Sequence, residues 1–197
     1  VAVDPLRAAY RRRLSVLRTA VEARLRTLYG GVIDFDDLAG SFDRYVELAA
    51  PVIEAGQISA AALAEACLES RAARAGVALA IEEIETAVGT TRAGAPLAEG
   101  MAAFGPMVLE QVGLGRSREE VLGYGEFLAT RFADAELTGT VDRIEQSPEV
   151  RQRVTGWEGT VRPDACDGCQ ANAGAHPVDW EPYRHGNCDC IVEPLFG

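Results

Sequence analysis

Apolar residues recur near the start of the chain at Leu6, Tyr10, Leu14, Leu17, Val21, Leu25 and Leu28. Steps of three and four place them in one stripe along a long helix. In this reading Gly30 and Gly31 end it. A second helical stretch, "LAGSFDRYVELAAPVIEAG", follows "DFDD", with Pro51 starting a new turn or kinking the old one. A third, "SAAALAEACLESRAARAG", closes on Gly76, and "VALAIEEIETAVG" continues as a fourth. All four are Ala-rich and lack the alternation of a strand. "TTRAGAP" reads as a loop, and "LAEGMAAFGPMVLEQVGLG" as a short or kinked helix around Pro106.

Ser117 and Glu120 in "SREE" form a capping box, each able to satisfy an amide at the start of a helix. Val121, Tyr124, Leu128 and Phe132 then give that helix a buried stripe, and it runs on towards Ile144 through "TGT" until "QSPEV" breaks it. Beyond Pro148 the residues change in kind, from Ala and Leu to the Gly, Thr, Val and Trp of "VTGWEGTVRP". The pattern therefore predicts a mainly α protein. A multi-helix body over residues 1–148 is followed by a small, irregular, Cys/His-rich module over 149–197, zinc-knuckle-like and with short β elements. Trp157 and Trp180 are the expected core plugs of that module.

Composition narrows the function. With 48% hydrophobic residues the chain can bury a core. No run approaches the 18 consecutive apolar residues of a membrane span, and the first residues lack the apolar stretch of a secretory signal. The expectation is an intracellular folding history and no membrane partner. The formal net charge of −11 argues against a protein that coats nucleic acid over its whole surface. The charge is uneven, however. Residues 1–30 hold Arg7, Arg11, Arg12, Arg13, Arg18, Arg24 and Arg26 against only Asp4 and Glu22, a balance of +5 that leaves −16 for the rest. Arg7, Arg11, Arg12, Arg13 and Arg18 are thus the candidate contacts to DNA or an acidic partner, beside the simpler reading of a solvated helix face.

The stretch "CDGCQANAGAHPVDWEPYRHGNCDC" gathers four of the five cysteines and both histidines. Cys166 and Cys169 are spaced so that one tight turn directs two thiolates at the same tetrahedral ion, and His185, Cys188 and Cys190 supply a second group. Four of these five suit a structural Zn2+ site, with either His185 or Cys190 completing the set; His176 is a weaker candidate. Two disulfides are the alternative. A small module with little apolar mass needs such a staple, and structural zinc contributes on the order of 10 kcal/mol to folding.

A catalytic role lacks a constellation. Cys67-x-Glu69 with Cys166-x-x-Cys169 superficially matches a zinc deaminase, but Ala165 stands where that pattern has Pro, and Cys67 lies on an amphipathic helix. There is no G-x-S-x-G elbow, phosphate-cradling loop or H-E-x-x-H helix. The expectation is a protein that is not an enzyme and takes no small-molecule substrate. A zinc-dependent nucleic-acid-binding module is the alternative, although the cysteine stretch holds only Arg184 as a basic residue.

In order and spacing, Trp157, Asp164-x-Cys166-x-x-Cys169, Gly174 and His185-x-Asn187-Cys188-x-Cys190 resemble the C-terminal signature of the tailed-phage head morphogenesis family, the Mu F-like minor head proteins. Gly186 and Asp189 depart from it, standing where that family has Pro and Arg. The resemblance implies a low-copy structural component of procapsid and virion, associated with the portal or major capsid protein and assembled in the bacterial cytoplasm. It also implies a role in head morphogenesis or delivery of packaged DNA.

Overall fold

The structure is a computed structural model that describes residues 4–81, 88–161, 165–181 and 191–197. Asp4 starts the first helix, α1 (Pro5–Val32), by accepting the Leu6 N–H at 3.0 Å, and Pro5 occupies the first position, where no N–H is required. Tyr10, Val21, Leu25 and Tyr29 form its buried side. The helix runs through Gly30 and Gly31, neither of which takes a positive φ. It ends because Ile33 turns extended and Asp34 caps a short 3-10 turn, Phe35–Asp37.

The second and third expected helices are one element, α2 (Leu38–Arg74). Pro51 removes one hydrogen bond, to the carbonyl of Glu47, but both residues are exposed, so water can serve that carbonyl. On the opposite side Tyr45, Val46, Ala49, Ile53 and Ala60 keep the buried stripe unbroken. Gly56 lies within this helix and is buried. A Cβ there would come within 3.0 Å of Val21 Cγ2 and 3.2 Å of Leu137 Cδ1, so this glycine lets three helices approach closely. Gly76, with φ +73°, does end α2: its N–H bonds the Ala73 carbonyl while Val77 N–H bonds that of Ala72. By length and hydropathy alone α2 matches a membrane span. Within the fold, 39% of that apolar window is buried.

The expected fourth helix is absent from residues 77–81, which carry no regular structure; the stretch that follows, 82–87, lies outside the described residues. Next come α3 (Leu97–Ala102) and α4 (Phe104–Gly113), broken at Ala103 so that Pro106 falls in a first turn. Helix α5 (Arg118–Glu145) opens with the expected capping box: Ser117 Oγ accepts the Glu120 N–H at 3.3 Å and Glu120 Oε2 accepts the Ser117 N–H at 2.8 Å. A single turn, α6 (Pro148–Arg151), follows.

The remaining described elements are β1 (Gly156–Thr160), a short turn of helix α7 (Asp167–Gln170), β2 (Gly174–His176) and β3 (Ile191–Leu195). The strands form an antiparallel sheet in the order β2-β1-β3. Pro194 is tolerated because β3 is an edge strand. Helices α1, α2 and α5 pack around Leu25, Tyr45, Ile53, Leu68, Leu137 and Ile144, and Trp157 and Val192 of the sheet belong to the same apolar cluster.

Candidate functional site

Strand β1 organises the C-terminal region. Its Trp157 is 1% exposed and donates Nε1–H to the Val178 carbonyl at 3.1 Å, while the Arg151 guanidinium lies 5.8 Å from the ring centroid. An indole needs such a partner when buried. Trp180 is half-buried and stacks on His176, with centroids 3.7 Å apart and planes 6° from parallel. At the other end of β1, Gly159 pairs with Gly174. A Cβ on Gly159 would fall 1.4 Å from the Asn172 carbonyl oxygen, so only glycine lets the chain after α7 cross this strand.

Cys166 and Cys169 lie on that crossing segment, Cys166 at the cap of α7 and exposed, Cys169 within α7 and buried. His185, Cys188 and Cys190 lie outside the described residues. Among the described residues no group of three or more His, Cys, Asp and Glu is gathered to hold a metal. The strand register nonetheless relates the two halves of the cluster. The chain leaves β1 at Thr160 and enters β3 at Ile191, and these two residues are partners. The segment carrying all five candidate ligands therefore begins and finishes at one end of the sheet.

The candidate arginines divide into two sets. Arg7 is 14% exposed and reaches the sheet: its Nη1 is 2.5 Å from Glu158 Oε2 and its Nε 2.8 Å from Glu193 Oε2. Arg11 Nη2 lies 3.3 Å from Glu193 Oε1. Arg18 donates to Thr138 Oγ1 at 2.6 Å and pairs with Asp134 at 3.4 Å, both on α5. Arg12 and Arg13 are exposed. Three of the five thus bind this chain's own acceptors, and Arg12 and Arg13 face solvent.

The sheet explains why such cations are needed. Glu158 and Glu193 are direct cross-strand partners, and like charges in that position repel. Arg7 bridges them. Arg71 of α2 adds a bond to the Pro194 carbonyl at 2.5 Å and lies 5.8 Å from the Phe196 ring centroid. Burial, reinforced by the nearby Arg7 cation, pulls the Arg71 guanidinium down from its ordinary value, and Asp4 lies beside it at 4.0 Å. The same surroundings act on Tyr10, whose hydroxyl is pushed far up by burial and then by Glu145, and on Cys67, whose thiol burial pushes up to about 11. Sequence spacing did not reveal Arg71, Glu158 or Glu193 as members of this cluster. The available signal was a lone acid in each of two apolar stretches, "GWEGT" and "IVEPLF".

A second polar centre pins the loop before α3. Gln57, fully buried, donates to the Thr90 carbonyl and accepts the Gly89 N–H, each at 2.9 Å. Glu136 of α5 accepts the Arg92 N–H at 2.6 Å; burial raises its carboxyl above the usual range, against the pull of that bond and of Arg143 and Arg92. Every polar partner named here serves to hold the loop in place.

Comparison of the chain with family models, with curated proteins and with solved structures returns no match.

Proposed function

We propose that the chain is a structural minor head protein of a tailed bacteriophage, a low-copy component of procapsid and virion. It acts in head morphogenesis or DNA delivery near the portal or the inner capsid wall. The observation that carries this reading is the ordered series Trp157, Cys166-x-x-Cys169, Gly174 and His185-x-x-Cys188-x-Cys190. Two features support it. Trp157 and Gly174 both have physical roles in the sheet, one as its buried plug and the other at φ +92° where β2 begins. The ligand-rich segment also departs from and returns to partnered residues.

In this reading the tail is zinc-knuckle-like. Zn2+ would be held by Cys166, Cys169 and Cys188, with either His185 or Cys190 completing the set. What supports this is the spacing: two cysteines three positions apart, one at the cap of a short helical turn and one within it, suit one tetrahedral ion. Bound zinc supplies a cross-link and folding free energy, on the order of 10 kcal/mol. The partners are the portal and/or major capsid protein, with packaged DNA reached through the N-terminal basic helix. The protein resides in the virion after assembly in the host cytoplasm.

Co-expression with the portal and major capsid proteins of a tailed phage tests the reading. The expected result is a few copies per purified procapsid. A chain that stays out of particles yet binds free DNA with steep salt dependence would favour the nucleic-acid-binding alternative. Elemental analysis of reduced protein is expected to give about one zinc per chain, the stoichiometry of a single four-ligand site, lost in Cys166→Ser and Cys188→Ser. Thiols that oxidise in pairs without metal would identify disulfides.

A further inference from the structure

Helix α4 is apolar around most of its circumference, and the body of the protein covers only one side of it. Phe104 meets Phe132 of α5 edge to face with ring centroids 5.3 Å apart, Gly105 lets Phe42 of α2 approach, and Val108 is buried. Met107, Leu109, Val112 and Leu114, by contrast, are each at least 40% exposed and make up four of the nine large apolar residues exposed among the described residues. In a chain that is 25% charged, residues 101–115 carry a single charge, Glu110. A helix apolar all round belongs in an interior, so this one calls for a cover.

The surroundings of the face select the cover. A membrane is disfavoured: ten residues are too short to span one, and a helix lying on a lipid surface carries Lys or Arg along its polar side, where α4 has none. A small molecule is disfavoured too. The recess between α2 and α4, lined by Leu38, Phe42, Asp43 and Leu109, has a volume of 130 Å³, against roughly 300 Å³ or more for a ligand pocket. A protein surface remains, and its charges fit a second copy of this chain. Glu110 and Arg116 stand three positions either side of Gly113, and both are exposed. A two-fold axis beside Gly113 lays the second copy antiparallel and sets Glu110 of each chain toward Arg116 of the other. The contact between Arg116 and Glu120 at 3.6 Å within one chain is exposed and offers little competition. Gly113 itself serves no need inside the chain: its φ is not positive, and a Cβ there would meet nothing within 4 Å. Glycine is a poor helix former, and close approach of another backbone gives it a use. Elsewhere the net charge of −11 keeps copies apart.

We infer that α4 is the contact helix of a reversible two-fold homodimer, in which Met107, Leu109, Val112 and Leu114 of two copies cover one another and Glu110 pairs with Arg116 of the other copy. Ten helical residues rise about 15 Å, too little for the roughly 800 Å² per partner of a standard interface, so the dimer is transient. The inference is independent of the reading above.

Sedimentation velocity of the full-length chain tests it, in reducing buffer so that exposed Cys166 forms no cross-link. Between about 5 μM and 500 μM the unmodified protein is expected to shift from one chain to two, with half-dimerisation on the order of 100 μM. Leu114→Asp is expected to abolish the shift with helical circular dichroism unchanged, since Leu114 is 64% exposed. Glu110→Arg and Arg116→Glu each set like charges together twice in the dimer, and each alone is expected to weaken it about five- to tenfold. Combined, they exchange the partners and are expected to restore the dimer to within about twofold. A monomer at every concentration up to about 1 mM overturns the inference. So does association that Leu114→Asp leaves intact, or a double variant no tighter than the single ones. Should Leu114→Asp unfold the chain, the charge exchange decides alone. Flotation with phosphatidylcholine vesicles by a chain that stays monomeric would assign the face to lipid and overturn the dimer.

Discussion

Replacing Arg7 by alanine removes both bridges that hold two facing glutamates together. Glu193 is almost wholly buried, so the deletion leaves a carboxylate with little water and a like charge directly across the strand pair. Breaking a buried pair by removing one partner costs about 3–5 kcal/mol. Two features reduce that here: Arg11 remains 3.3 Å from Glu193, and the Glu158 side chain is 43% exposed. The expected loss is about 2–3 kcal/mol. For a chain of this length, that lowers Tm by about 4–12 °C. Calorimetry gives the midpoint, and Trp157 fluorescence reports whether the sheet melts with the helices or before them. Arg12→Ala, at an exposed position, is the control and should stay within about 0.5 kcal/mol of the unmodified protein. Adding Glu193→Gln to Arg7→Ala should restore part of the loss, because the carboxylate left behind is then neutral. A Tm within 1 °C of the unmodified protein for Arg7→Ala would refute the reasoning.

Three further outcomes follow from individual residues. Burial holds the Cys67 thiol at about 11, above the roughly 8.5 of an unfolded cysteine, so its contribution to stability is full below about pH 8.5 and is lost as pH rises through 11. Thermal melts should show that decline less steeply in Cys67→Val, and iodoacetamide at pH 8 should modify Cys67 far more slowly than a free peptide thiol. Gly159→Ala sets a Cβ against the Asn172 carbonyl, a backbone group that cannot rotate away, and should cost about 3 kcal/mol or more with a red shift of Trp157 emission. Ser117→Ala removes an exposed cap and should cost about 1 kcal/mol, with faster hydrogen exchange confined to the first turn of α5; a change extending to the sheet would contradict that assignment.

The features legible in the sequence were those set by near neighbours. The α1 stripe, the Ser117–Glu120 box and the Gly76 terminus depend on residues within one or two turns, and each appears where its local chemistry puts it. Pro51 misled because its strong local signal is met by its surroundings: it lies on the exposed side of α2, where water can serve the freed carbonyl while the buried stripe opposite continues. The division of the N-terminal arginines was beyond any spacing rule. Arg7 and Arg12 look alike on a helix, and only pairing with Glu158, 151 residues away, separates them. In the candidate metal region, the sequence placed Cys166 and Cys169 on one turn, while the antiparallel return that relates them to Ile191 emerges only from the sheet register.

That long reach between Arg7 and the sheet also has a cost in time. At about 5–20 residues per second, a ribosome needs roughly 8–30 s to make the 151 residues that separate Arg7 from Glu158, and longer to reach Glu193. Throughout that interval a nascent α1 presents its arginines without their carboxylates, next to ribosomal RNA and cytosolic chaperones. Its final docking therefore comes late in synthesis, after β3 has been made, and variants that slow completion of β3 should lower soluble yield even where the finished fold is unharmed.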